Sequence, residues 1–161
     1  MFKKSQAALE FLTTYAWAFL VILIMIGALA YFGVLSPTKI LPDRCTFGAE
    51  INCIDHAISA TANTFSLKLK NSIGEPIVIQ SIALSSEAAT PFSCTLSAPT
   101  LPYTWSTDAV VDFSFTVCNS ATAGFIKGDK GKVLVTMNYN LAKSGATYAR
   151  QVSGEIFATI T

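Results

Sequence analysis

Residues 7–35 read "AALEFLTTYAWAFLVILIMIGALAYFGVL", a stretch in which Glu10 is the single charged residue. From Phe11 to Thr38 the chain has 28 residues without a charged side chain. That run is well past the roughly 18 apolar residues that indicate a transmembrane helix. No proline occurs before Pro37, which together with Gly33 supplies a stop signal. We therefore predict one continuous apolar helix over residues 7–35.

The length of this helix is unusual for a single membrane crossing. Its 29 residues would span about 43 Å, whereas the hydrocarbon core of a bilayer is about 30 Å thick. An ordinary secretory signal has an apolar core of only about 7–15 residues and ends at a small-residue cleavage site. Tilt or protrusion of the helix can accommodate the excess length, or the helix also resides in a second environment besides the bilayer.

The four cysteines all follow the helix, at Cys45, Cys53, Cys94 and Cys118. Lys3 and Lys4 precede the helix, so the positive-inside bias exports the rest of the chain to an oxidising compartment. We expect two disulfides, and of three possible connectivities the nearest-neighbour pairs Cys45–Cys53 and Cys94–Cys118 are favoured. The cysteine spacings and a single histidine give no reason to expect a zinc site.

Residues 36–161 change from helical to alternating periodicity. Six or seven short strands separated by turn signals predict an antiparallel β-sandwich of the immunoglobulin-like kind, giving an α+β chain. Inward-facing positions are predicted at Phe65, Leu67, Leu69, Val111, Phe113, Phe115, Val117, Val133, Val135, Met137 and Tyr139. The proline-rich segment 85–108 is predicted to be irregular and tethered through Cys94. The last strand region, 147–160, is predicted to bulge at Gly154.

The charges and motifs of this domain exclude several classes of function. Nine basic and nine acidic residues balance one another, so no basic field for nucleic acid exists. His56 is the sole histidine, and no nucleophile elbow or glycine-rich phosphate loop occurs, so we expect no catalytic residue and no cofactor. Tyr103 and Trp105 are the best candidates for binding a surface or a sugar, although packing of their loop also explains them.

Two features of the helix are not required in a simple membrane anchor. Glu10 stands at the entrance of the apolar run, where an ionised carboxylate costs roughly 2.5–3.5 kcal/mol on the mildest insertion scale. Gly27, Ala30 and Gly33 recur every three residues, and small residues let membrane helices approach closely. An ordinary single-pass helix with an interfacial glutamate is the simpler alternative.

"KKSQAALEF", followed by "LTTYAWAFLVILIMIGALAYFGVL", resembles the class III signal peptide of archaeal type IV pilins. The resemblance covers residues 3–35, about a fifth of the chain. It implies a leader, residues 1–5, that a prepilin peptidase removes by cutting between Ser5 and Gln6. Residues 6–35 would then form the filament core and residues 36–161 the outward domain. Ser5 stands where glycine is frequent in the family, and Ala8 where serine is common in some members.

The same resemblance implies partners and a location. The precursor would reside in the cell membrane, and the mature subunit would polymerise with identical copies into an extracellular filament for adhesion, with the help of a pilus assembly machinery. Cleavage would create an α-amino group at Gln6, largely protonated at neutral pH, that Glu10 can pair with. The alternatives are an archaellin-like motility filament subunit, a membrane-anchored extracellular binding domain and a tethered enzyme.

Overall fold

The computed structural model describes residues 3–32 and 41–161, with the side chains of the first segment described from Leu9 onward. The chain forms two separate units, residues 1–41 and residues 42–161. In the first unit, helix α1 runs over Lys3–Tyr31, and the N–H of Phe32 donates to the carbonyl of Ala28 at 2.9 Å. The helix thus begins four residues before the predicted start. The predicted stop at Gly33 and Pro37 lies outside the described residues.

The second unit is built from antiparallel strands in two sheets. The described strands are β1 Arg44–Phe47, β2 Ile51–Ser59, β3 Thr64–Asn71, β4 Ile77–Ser85, β5 Thr95–Ala98, β6 Tyr103–Trp105, β7 Val110–Thr116, β8 Lys130–Leu141 and β9 Arg150–Thr159. One sheet has the order β1-β9-β8-β4-β6 and the other the order β2-β3-β7-β5. A long N-terminal helix followed by a small β-sandwich confirms the predicted α+β fold.

The core lies between the two sheets and follows the predicted alternation closely. Phe65, Leu67 and Leu69 on β3 are almost fully buried, and so are the four predicted positions on β8. Val117 was predicted to face inward, and this is wrong because β7 ends at Thr116. Val117 has a φ of 54° and its side chain is 79% exposed.

Two further expectations about the strands need correction. The segment 85–108 is not wholly irregular, because it contributes β5 and β6, one to an edge of each sheet. The predicted bulge at Gly154 is wrong, since β8 and β9 pair in continuous register along their whole length. A Cβ at Gly154 would lie 2.3 Å from Cε1 of Phe47, so the glycine makes room for an aromatic ring. The irregularities in pairing fall instead between residues 53 and 55, 79 and 81, and 96 and 98.

The two expected disulfides are both present. Cys45–Cys53 joins β1, the edge strand of the five-stranded sheet, to β2, the edge strand of the four-stranded sheet. Cys94–Cys118 ties the residue before β5 to the residue that follows Val117 at the end of β7. The first bridge therefore links the two sheets along one side of the sandwich.

Candidate functional site

Most of the large hydrophobic side chains that the described chain exposes lie on α1. Its exposed large hydrophobic side chains range from 46% exposure for Leu29 to 87% for Tyr31. Seven of the eight residues from Phe19 to Ile26 belong to this exposed set, and successive helical residues point about 100° apart. Apolar side chains therefore cover the whole circumference of the helix, which leaves it no polar face for water. The stretch Leu9–Tyr31 is also long and apolar enough to cross a membrane.

Aromatic side chains form a ridge along the first half of this helix. The rings of Phe11 and Tyr15 lie 4.3 Å apart between centroids, as residues four apart on one helix face can. Phe19 continues the ridge one turn later, and Leu12 and Ala16 line a shallow apolar groove beside it. This surface has the shape and chemistry to receive another apolar helix or lipid chains.

Glu10 is the one acidic residue on this helix, and its side chain is exposed. Its backbone carbonyl accepts hydrogen bonds from the hydroxyls of Thr13 at 3.0 Å and Thr14 at 2.8 Å. The Thr13 hydroxyl also lies 3.0 Å from the carbonyl of Leu9. The hydroxyls of both threonines are thus satisfied by the helix backbone. Among the side chains described, which begin at Leu9, the Glu10 carboxylate has no ion-pair partner.

The remaining predicted assembly and cleavage residues fall along the same helix. A Cβ at Gly27 would meet nothing within 4 Å, and Ala30, one turn later, is exposed. Gly33 lies outside the described residues. Ser5 and Gln6 both lie within α1, where the backbone alone is described. The processing role of Ser5 and Gln6 and the packing role of the small residues stay predictions.

The predicted binding role of Trp105 is wrong. Its side chain is 0% exposed, and its ring packs edge-on against Phe113 with centroids 5.7 Å apart. The indole Nε1–H donates to the carbonyl of Ala109 at 3.0 Å, so the one polar group of the ring is satisfied inside the protein. Tyr103 is half-buried on the same strand. Packing of this segment into the sandwich, the alternative to surface binding, is the correct interpretation for Trp105.

The position of Trp105 depends on a buried asparagine that sequence inspection missed. Asn71 is 0% exposed, and its amide donates to the carbonyls of Glu75 at 3.0 Å and of Trp105 and Ser106 at 3.3 Å. Its Oδ1 accepts the N–H of Ile73 at 3.0 Å. Because every hydrogen bond runs to the backbone, Asn71 fixes the β3–β4 turn against the end of β6.

Several charged side chains of the β unit form ion pairs between residues that are distant along the chain. Glu155 lies 3.0 Å from the Arg44 guanidinium and 3.5 Å from the Lys132 amine, and the hydrogen bond from Arg44 is the main cause that lowers the Glu155 pKa. Lys132 also contacts Glu87 at 2.7 Å, and that hydrogen bond raises the pKa of the amine. On β8, the Lys130 hydrogen bond lowers the pKa of Asp43. These pairs hold strands together and do not converge on a cleft.

Tyr139 is the most perturbed of the ionisable groups described. Burial of its hydroxyl, and next its hydrogen bond to the Glu50 carboxylate, raise the pKa of Tyr139 to about 12. The neutral phenol is therefore the form that the fold requires. A tyrosine of raised pKa suits a structural hydrogen-bond donor at neutral pH and not a general base.

No protein-family model and no curated protein sequence matches the chain. Among solved structures it is similar to a chain of the archaeal flagellum of Methanospirillum hungatei strain JF1, with 15% sequence identity and a TM-score of 0.29. The alignment covers 98% of this chain and 100% of that one. Both the identity and the TM-score are too low to carry a fold or a function from that protein to this chain.

Proposed function

We propose that the protein is the structural subunit of an extracellular filament, and more closely an archaeal type IV pilin that serves in adhesion or surface attachment. The observation that carries the proposal is the all-round exposure of the apolar stretch Leu9–Tyr31 of α1, which precedes a separately folded β-sandwich along the chain. The pilin-like sequence of residues 3–35 gives the finer assignment. No catalytic step is involved.

An exposed apolar helix must be shielded from water both before assembly and in the assembled filament. Burial of each large apolar side chain contributes about 1.5–3 kcal/mol relative to exposure in water. Lipid supplies this shielding before assembly, and neighbouring copies of the helix supply it in the filament. Because both environments are apolar, one helix without a polar face suits both.

The length of α1 supports packing of the helix among neighbouring copies in a filament. After cleavage before Gln6 the helix would keep residues 6–31, and at about 1.5 Å per residue these 26 residues span about 39 Å, which exceeds a bilayer core of about 30 Å. The extra turns lengthen the lateral contact between neighbouring helices in a bundle. Gly27 and Ala30 would let a partner helix approach closely in the last turns of α1.

Glu10 supplies a charge that assembly can use. Cleavage before Gln6 would place a protonated α-amino group one helical turn from the carboxylate. Pairing of the two charges, within one subunit or between neighbours, offsets part of their desolvation in an apolar bundle. The carboxylate is also favourable near the positive end of the helix dipole.

The deciding experiment combines the mass of the mature protein with microscopy. Filaments sheared from cells are imaged by electron microscopy, and the subunit in them is identified by mass spectrometry, including its N-terminal residue. The proposal expects this chain in filaments with Gln6 at its N-terminus. A protein found as an isolated membrane species that retains residues 1–5 would instead establish the anchored binding domain. Rotating filaments required for swimming would establish the archaellin-like motility subunit.

A further inference from the structure

The seam between β1 and β2 brings three potential metal ligands together. Sγ of Cys45, Sγ of Cys53 and a ring nitrogen of His56 all lie within 4.8 Å of one another, and the three residues are half-buried. The two sulfurs form a disulfide, which is the oxidised form of the cluster. The side chains come from β1 and β2, each of which is an edge strand of its own sheet and is held by a hydrogen-bond ladder on one side alone.

A bulge in β2 creates this arrangement. Cys53 pairs with Leu69 and His56 pairs with Leu67, whereas Asp55 pairs with Lys68, so Ile54 is the extra residue. In a regular strand, residues three apart point to opposite faces of the sheet. The extra residue brings Cys53 and His56 to the same face, on the side of the buried Leu67 and Leu69. The bulge thus aims the imidazole at the disulfide.

The distances suit a tetrahedral ion once the disulfide is opened. Zinc binds thiolate sulfur at about 2.3 Å and imidazole nitrogen at about 2.0–2.1 Å, which puts tetrahedral ligands roughly 3.5–3.8 Å apart. The two sulfurs must move apart once their bond is broken, and the imidazole must approach by roughly 1 Å at most. The Cα atoms of the two cysteines are 6.0 Å apart, so side-chain rotation accounts for most of this movement.

We propose that the dithiol form of this protein binds a thiophilic divalent cation such as Zn²⁺ through Cys45, Cys53 and His56. A thiol or phosphine reductant supplies two electrons and opens the disulfide to two thiols, and is itself oxidised. The cation then displaces one proton from each thiol, accepts a lone pair from the neutral imidazole and keeps water in its fourth position. Three protein ligands with an open fourth position form an accepted zinc geometry. The inference does not depend on filament assembly.

The test uses the full chain in detergent, reduced by a phosphine without oxygen and titrated with Co²⁺ and Zn²⁺. Thiolate-to-cobalt absorption reports sulfur ligation, and elemental analysis after dialysis gives the stoichiometry. The chain carries an internal control, because Cys94–Cys118 yields a second dithiol while His56 is the one histidine in the sequence. We therefore expect one ion per chain, retained in the double variant Cys94→Ala/Cys118→Ala and lost in Cys45→Ala/Cys53→Ala.

The histidine variant separates this site from simple binding to two thiols. Loss of an outer-shell partner alone weakens metal sites by about 10–100-fold, so His56→Ala should lose at least roughly tenfold in affinity. Unchanged affinity in His56→Ala, or equal binding by the unreduced protein, would overturn the proposal. Near-UV circular dichroism follows the fold during the titration. A fold lost on reduction and not restored by the ion would also overturn it, because the folded seam assembles the ligands.

Discussion

The ring of Phe47 lies against the bare backbone of Gly154, its direct cross-strand partner between β1 and β9. A Cβ on Gly154 would come within 2.5 Å of three ring atoms of Phe47. We expect Gly154→Ala to displace the ring and to lower the free energy of unfolding by about 1–3 kcal/mol, the usual cost of overpacking. Thermal denaturation followed by circular dichroism measures the change. Gly48→Ala is the matched control, since its Cβ would lie 3.7 Å from Val152, an ordinary contact.

The two disulfides should differ in what they contribute to stability. Their cysteines are separated by 8 residues for Cys45–Cys53 and by 24 for Cys94–Cys118. The chain-entropy model gives about 2.5 kcal/mol for the shorter loop and about 3.5 kcal/mol for the longer one. Denaturant unfolding of the two double alanine variants should therefore show the larger loss for Cys94–Cys118. The opposite order would mean that joining the sheets outweighs loop length.

Tyr139 should make the fold sensitive to alkaline pH. Its pKa is raised from 10.0 to about 12 in the folded protein, so the hydroxyl stabilises the fold fully below pH 10 and loses this effect as pH rises toward 12. The rise corresponds to at most about 2.7 kcal/mol, and solvent around the exposed Glu50 reduces that value. Tyr139→Phe should flatten the decline in unfolding free energy between pH 10 and 12. The exposed Tyr148→Phe variant should leave the decline unchanged.

Glu10 should matter for assembly and not for export. Glu10→Ala removes the carboxylate while keeping the helical and apolar character of α1, so membrane insertion should be unaffected. We expect the variant to accumulate in the membrane with a strongly reduced yield of sheared filaments. Glu10→Asp keeps the charge on a shorter stem and should recover part of the yield. Normal filament yield from Glu10→Ala would refute the assigned role.

Substitution of Gly27 tests whether this position contacts a helix of a neighbouring subunit. Because a Cβ there would meet nothing within 4 Å, a larger side chain at this position starts in open space. Gly27→Leu should therefore insert and fold normally, yet reduce filament yield if a neighbouring helix approaches this position. Met25→Leu nearby conserves volume and polarity and should assemble normally. Equal yields from both variants would place the helix contacts elsewhere.

The sequence was most informative where apolar side chains recur at a regular spacing. Alternation along β3 and β8 identified buried side chains such as Phe65 and Met137, because a strand with one face in the core must bury every second residue. The uncharged run after Glu10 likewise predicted α1. The cysteine pairs followed from loop length, since the nearest partners close the loops of lowest entropy cost.

The sequence was least informative where the contact is distant along the chain. No local sequence pattern shows that the Phe47 ring packs on Gly154, so the sequence predicts a bulge at this glycine instead. The actual bulge at Ile54 carries no glycine or proline signal, and the approach of His56 to the cysteines depends on it. Trp105 lies among prolines, yet its burial is set by β4, β7 and Asn71 from other parts of the chain.

The disulfide between β1 and β2 also has a mechanical consequence. A pull transmitted along the chain from α1 reaches the sandwich at β1, a strand of four residues that pairs with β9 alone. Such a short edge strand would peel from its neighbour one hydrogen bond at a time. The covalent bond at Cys45, the second residue of β1, diverts the tension into β2 and the other sheet before the strand can detach. The load is then shared by both sheets.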